Sequence, residues 1–181
     1  MTELTASQRA STLWIMLLTV ASTVTTLVFA CATPFPALAA LTAVHMRRVD
    51  GVALAVAAWV VSQAVGFGVL GYPHTASTML WGAAIGVGAV VGALAAREAA
   101  ARVPGPFVAR LAVAYLAAFA AFKLVILAVT LAKGDPCTAF TAEVLGRQLV
   151  RNAAILIGLL ALYRGLIAIG VPAARTRPAT A

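Results

Sequence analysis

Residues 107–131 read FVARLAVAYLAAFAAFKLVILAVTL. Apart from Arg110 and Lys123 the run is uncharged, and it contains neither proline nor glycine. A helix of that length reaches ~37 Å at ~1.5 Å per residue, enough to cross a hydrocarbon core of ~30 Å. Lipid offers no partner to a bare N–H or C=O, so such a run has to satisfy its backbone internally as a helix. The rest of the chain is written the same way. It is 63% hydrophobic and 10% charged, with a mean hydropathy of +1.02. The expected fold is an all-α, polytopic integral membrane bundle forming a single domain over residues 1–181, with 1–11 and 173–181 as flexible cytoplasmic ends.

Working outward, five further apolar segments are found at 12–30, 35–46, 51–70, 77–96 and 144–171. Together with 107–131 they predict six transmembrane helices. Helix two is short, under ~20 Å, so it must begin from a re-entrant stretch, tilt, or borrow length from Thr33-Pro34. The first run exceeds the ~7–15 residues of a signal-peptide core. Val28-Phe29-Ala30-Cys31 is a poor lipoprotein cleavage box because of its phenylalanine, so the run reads as helix one. Proline and glycine punctuate the joints, at Pro34 and Pro36, Gly71 and Pro73, Pro104-Gly105-Pro106, and Gly134 to Pro136. No internal repeat is visible, which counts against an inverted-repeat carrier.

The charges alternate from loop to loop. Arg9 precedes helix one, and Ala32–Pro34 carries none. Arg47, Arg48 and Asp50 follow helix two, and the turn Gly71-Tyr72-Pro73-His74-Thr75-Ala76 is again uncharged. Arg97, Glu98, Arg102 and Arg110 follow helix four. Lys133, Asp135, Glu143 and Arg147 nearly balance, and Arg175 and Arg177 close the tail. The positive-inside rule then predicts both termini in the cytoplasm of a cell inner membrane. The same rule accounts for the excess of 13 Lys+Arg over 5 Asp+Glu without nucleic acid as a partner. CxxC, HExxH, GxGxxG and P-loop patterns are all missing, and two cysteines make no disulfide framework. Five scattered acids supply no catalytic cluster, so an enzyme is not expected.

A few residues remain that could bind something. In Gly68-Val69-Leu70-Gly71-Tyr72-Pro73-His74-Thr75, followed by Trp81, the aromatics offer flat faces for a planar ligand. His74 offers a neutral imidazole for a transition metal. The competing reading is an interfacial aromatic belt with a solvated histidine. Cys31 and Cys137 both map to the outer face, as unrelated thiols, a disulfide, or soft ligands near a metal-bearing substrate. Glu143, Arg147 and Arg151 form one stripe on helix six, with Gln148 and Asn152 beside it. Arg151 either holds a ligand phosphate or carboxylate or snorkels to the interface. Lys123 is an intramembrane lysine, a functional position by default, with snorkelling or pairing with a backbone carbonyl as the alternative. Gln63 reads as interhelical glue and His45 as interfacial. Gly82-x-x-x-Gly86 and Gly88-x-x-x-Gly92 form smooth surfaces either for close packing inside the bundle or for a partner subunit. The Ser22, Thr23, Thr26 side of helix one is similar.

Six short helices, a proline-broken first outer loop (Thr33-Pro34-Phe35-Pro36), a short helix two and the segment Gln63-Ala64-Val65-Gly66-Phe67-Gly68-Val69-Leu70-Gly71-Tyr72-Pro73, continuing to Trp81-Gly82, resemble the S-components of energy-coupling factor (ECF) transporters. The likeness is to the solitary, cobalamin-specific BtuM-like type. The resemblance implies a pocket open to the periplasm, closed by the first, third and fifth loops. Its ligand residues would be Phe35, Phe67, Tyr72, His74, Trp81, Arg147 and Arg151. It also implies a vitamin-like cargo, cobalamin or another corrinoid, and no intrinsic cofactor. Toppling in the bilayer would be driven by a separate transmembrane subunit and ATPases, although solitary members can lack a dedicated module. The family carries a cysteine as axial cobalt ligand in the third outer loop. Here that loop has His74 instead, with Cys31 and Cys137 as weaker candidates. The expected function is therefore a substrate-binding subunit for vitamin uptake. The alternative from a different class is an accessory or assembly subunit of a larger membrane complex.

Overall fold

The computed structural model describes residues 10–21, 23 and 34–174. The regular secondary structure of the described residues is all helical, with no strand. The helices are α1 (Ala10–Ala21), α2 (Phe35–His45), α3 (Arg48–Gly68), α4 (Ala76–Arg102), α5 (Phe107–Lys133) and α6 (Ala142–Ala168), with a 3-10 turn at Cys137–Phe140 between the last two. Among them, α3, α4, α5 and α6 are long and apolar enough to cross a membrane, whereas α1 and α2 are shorter apolar helices. Val60, Val87, Leu116, Leu124, Val150 and Ile157 are exposed around the outside. Such a belt suits lipid and would be an aggregation hazard in water.

The helices differ from the sequence expectation mainly at their ends. α3 begins three residues before 51, where Asp50 accepts from Arg47 Nε at 2.9 Å inside the first turn. That contact also raises the Arg47 pKa above its ordinary value. α4 runs on past 96 to Arg102, carried by alanines and an Arg102–Glu98 pair one turn apart. α6 stops at Ala168, short of 171, because Gly170 turns left-handed (φ 100°) and the N–H groups of Gly170 and Val171 fold back onto Ile167 and Leu166.

The short helix is the centre of the molecule. Every residue of α2 from Phe35 to Ala43 is buried, and the helix packs against α3, α4, α5 and α6. A helix apolar on all sides belongs in a core. Its register is fixed at one end by Arg97 of α4, whose Nη1 donates to the carbonyls of Ala43 and Met46 at 3.0 and 2.8 Å. At the other end the Phe35 and Phe122 rings stand 6.0 Å apart. Phe122 also lies where a Cβ on Gly88 would sit, 2.9 Å away. Phe35, Gly88 and Phe122 therefore share a level. From there α4 continues back to Ala76, ~18 Å farther at the usual helical rise, with no α2 beside it. The bundle has an arginine-rich half built around α2 and an arginine-poor half beyond it.

Charged and aromatic side chains knit the arginine-rich end. Ser11 Oγ donates to Asp50 Oδ2 at 2.9 Å. Trp14, fully buried, donates to the Pro172 carbonyl at 2.7 Å and lies 4.4 Å from the Tyr163 ring. The described start and end of the chain thus meet at one end of the bundle. His45 is wedged between Phe107 and Tyr163 (5.4 and 4.3 Å). Its Nδ1 lies 3.0 Å from the Leu41 carbonyl, which can only accept, so that nitrogen carries the proton.

Both glycine pairs of α4 are used inside the chain. A Cβ on Gly82 would meet Gln63 Oε1 at 2.5 Å, and one on Gly86 would meet the Trp59 indole at 2.7 Å. Gly92 lies against the Ala118 carbonyl, 3.3 Å from such an atom. Gly82 and Gly86 thus admit α3, while Gly88 and Gly92 admit α5.

Candidate functional site

The arginine-poor end gathers three of the expected ligand residues. The chain leaves α3 through Gly71 (φ 66°), and the Tyr72 N–H donates back to the Gly66 carbonyl at 3.0 Å. This folds the Tyr72 ring onto Gly66, where any Cβ would lie 2.8 Å from it. Glycine is required at both places, for conformation at 71 and for close approach at 66. Phe67 then meets Tyr72 edge-on at 6.2 Å and His74 at 5.1 Å. Thr75 caps α4 by accepting from the Thr78 N–H at 3.3 Å. Tyr72 and His74 are exposed and Phe67 is half-buried.

The other expected residues lie elsewhere. Trp81 sits on the α5 side of α4, beneath the Lys133 ammonium at 5.2 Å. Lys133 also donates to Ser77 Oγ at 2.9 Å and pairs with Asp135 at 3.0 Å. Phe35 is in the core on Phe122, only 4% exposed. Arg147 and Arg151 are exposed on α6. At ~100° per residue they stand ~140° and ~100° around the helix from the buried Asn152, off its inner face. Cys137 is exposed and free at the start of the 3-10 turn. Cys31 lies outside the described residues, as do Ser22 and Thr26. Among the described residues, no group of three or more His, Cys, Asp or Glu is placed to hold a metal ion.

Lys123 is not a snorkelling side chain in this fold. From α5 its ammonium donates across to the Gln148 side-chain carbonyl on α6. It also lies 5.8 and 6.0 Å from the Phe119 and Phe140 ring centres. One turn along α6, Asn152 donates from Nδ2 to the Gln148 backbone carbonyl at 3.0 Å. Asn152 is 8% exposed, and its Oδ1 has no hydrogen-bond partner among the described residues. Close by, Tyr115 Oη donates to the Leu149 carbonyl. These side chains bridge α5 and α6 from the level of Phe35 and Phe122, where α2 begins, back along α2 to Tyr115.

Sequence reasoning passed over Trp59 and Arg164. Trp59 Nε1 donates to the Gly82 carbonyl at 2.8 Å. With Val56, Ala83, Gly86, Val87, Val90 and Val91 it lines an apolar groove of about 420 Å³ between α3 and α4. The signal available was the spacing of Trp59 and Gln63, one turn apart on α3 and matched by Gly86 and Gly82. Arg164 stacks over Phe107 at 5.4 Å, a contact that nothing in the sequence announces. Comparison with protein-family models, curated proteins and solved structures found no match for this chain.

Proposed function

We propose that the chain is a substrate-binding membrane subunit for uptake of a vitamin-like small molecule, a corrinoid, captured from the periplasmic side of a cell inner membrane. On this reading α1 and α2 complete six crossings, and both termini and the arginine-rich end face the cytoplasm, as the positive-inside rule requires. The observation that carries the proposal is the Phe67–Tyr72–His74 cluster at the arginine-poor end. It combines flat apolar faces for a macrocycle with an imidazole that makes no hydrogen bond among the described residues. Support also comes from α2, which stops at Phe35 and leaves ~18 Å of α4 toward that cluster without it. The sequence carries no nucleotide-binding motif, so energy for transport would come from a separate transmembrane subunit and ATPases. The accessory-subunit alternative drew on the glycine faces of α4, which are occupied by α3 and α5.

The test is spectroscopic. Protein purified from cobalamin-fed cells should carry visible corrinoid absorption, and His74→Ala should shift the band if imidazole is the axial ligand. Wild-type protein that washes free of any corrinoid signal would remove the proposal.

A further inference from the structure

The α5–α6 seam contains a donor and an acceptor that the fold leaves incomplete. The Lys123 ammonium has three N–H groups, and the structure gives one of them an acceptor, the Gln148 side-chain carbonyl. Of the described acids, Asp50 is held by Arg47 and Ser11, Glu98 by Arg102, and Asp135 by Lys133. Glu143 is exposed in the first turn of α6, a turn or more from Gln148. The lysine's charge is met by the Phe119 and Phe140 rings. Its spare N–H groups still want an acceptor. One turn away, Asn152 Oδ1 is more than nine-tenths buried and wants a donor. Gln148 ties the two together, accepting from Lys123 with its side chain and from Asn152 with its backbone. A buried polar group left unmatched costs about 1–3 kcal/mol, so a bound group that matched Asn152 Oδ1 would recover that cost.

A group with an acceptor and a donor side by side satisfies both atoms at once. A primary carboxamide has that pattern: its C=O accepts from Lys123 and its NH2 donates to Asn152 Oδ1. A carboxylate answers the lysine but sets oxygen against oxygen at Asn152. We infer that Lys123, Gln148 and Asn152 form a carboxamide-anchoring subsite for the captured molecule. The inference rests on the uptake reading and narrows it to cargo bearing peripheral amides. The seam lies ~15 Å of helix axis below the Phe67–Tyr72–His74 cluster. That estimate counts ten residues from Lys123 to the outer end of α5.

The experiment titrates purified wild-type protein, Lys123→Met and Asn152→Asp with cyanocobalamin, whose periphery carries primary amides, and reads the corrin absorbance. Asn152→Asp is isosteric and removes the free acceptor–donor pair, and it also gives up the Nδ2–H that Asn152 donates to the Gln148 carbonyl, so the fold of each variant is checked alongside its binding. Both variants should weaken binding about tenfold or more, the scale of a lost charge-assisted hydrogen bond. The thermal midpoint of each variant tells a loss of binding by folded protein from a loss of fold. Wild-type binding with both variants within twofold of it would overturn the subsite and leave the uptake proposal standing. No binding by the wild type would overturn both.

Discussion

The α3–α4 interface makes a prediction that lipid solubility alone would not. Gly86→Ala adds one methyl group 2.7 Å from the Trp59 indole, closer than carbon atoms approach without repulsion. The ring is not free to swing away, because its Nε1–H is bound to the Gly82 carbonyl. Overpacking of this kind costs about 1–3 kcal/mol, and displacing the indole adds the loss of a hydrogen bond worth about 1 kcal/mol. Against this, alanine gains up to about 1 kcal/mol over glycine in helix propensity, so a net loss of about 1–3 kcal/mol is expected. Gly158→Ala is the control. A Cβ there meets nothing within 4 Å, so only the propensity gain remains and the variant should be as stable as wild type or up to about 1 kcal/mol more so. Unfolding in mixed detergent micelles, followed by circular dichroism across a denaturing-detergent titration, measures both. Trp59→Leu in the Gly86→Ala background should recover part of the loss, because the two sites are in contact and should couple. If Gly86→Ala proves as stable as Gly158→Ala, the packing of α4 against α3 is not as described.

Three further outcomes are expected. Arg97→Met strips the donors from the carbonyls of Ala43 and Met46. It should cost about 2 kcal/mol or more in the same titration, and a loss below ~0.5 kcal/mol would show that the last turn of α2 is satisfied without Arg97. Pro36→Ala adds an N–H to the buried first turn of α2, so it should destabilise by about 1–3 kcal/mol, and a neutral result would mean that this helix start has access to water. For orientation, His74→Cys and Gly105→Cys are introduced separately with Cys31 and Cys137 replaced by serine. A membrane-impermeant maleimide should label position 74 in intact cells and position 105 only after lysis; the opposite pattern would invert the bundle and remove the capture proposal.

The helices themselves were legible because their signal is local: a run of apolar residues between breakers is a helix in lipid whatever its neighbours are. The role of the short helix was not. The resemblance makes Phe35 a ligand residue, whereas the fold buries it on Phe122. Burial on every side leaves no periodic polar face, so α2 carries no amphipathic pattern from which its central position could be read. Tyr72 and His74 were visible as a pair because a single turn brings them together, with Gly66 and Gly71 as the enabling residues. Lys123 drew attention as a charge in an apolar run, but its partner lies 25 residues away on another helix, and spacing within one helix says nothing about that. Arg147 and Arg151 share a stripe in sequence, yet whether a stripe faces the bundle is decided by how α6 is rotated. Here Asn152, Ile155, Leu156, Leu159 and Tyr163 turn inward instead.

The two halves of the bundle follow from one difficulty, which is how a helix can begin in the middle of an apolar bundle. The first four residues of any helix present N–H groups without intrahelical partners, and in a dry interior each costs free energy. At the start of α2 two of those four positions are proline, Pro34 at the cap and Pro36 in the first turn, so two of the donors do not exist. Pro34 is itself fully buried and its carbonyl closes the first turn, accepting from the Leu38 N–H at 2.9 Å. At the other end the unmatched groups are carbonyls, which cannot be removed by choice of residue, and Arg97 reaches over from α4 to satisfy two of them. Proline at one end and arginine at the other let an 11-residue helix stand inside a bundle whose long neighbours have 21 to 27 residues. The same device frees the far half of the axis, with the polar seam at its inner edge and the aromatic turn at its end.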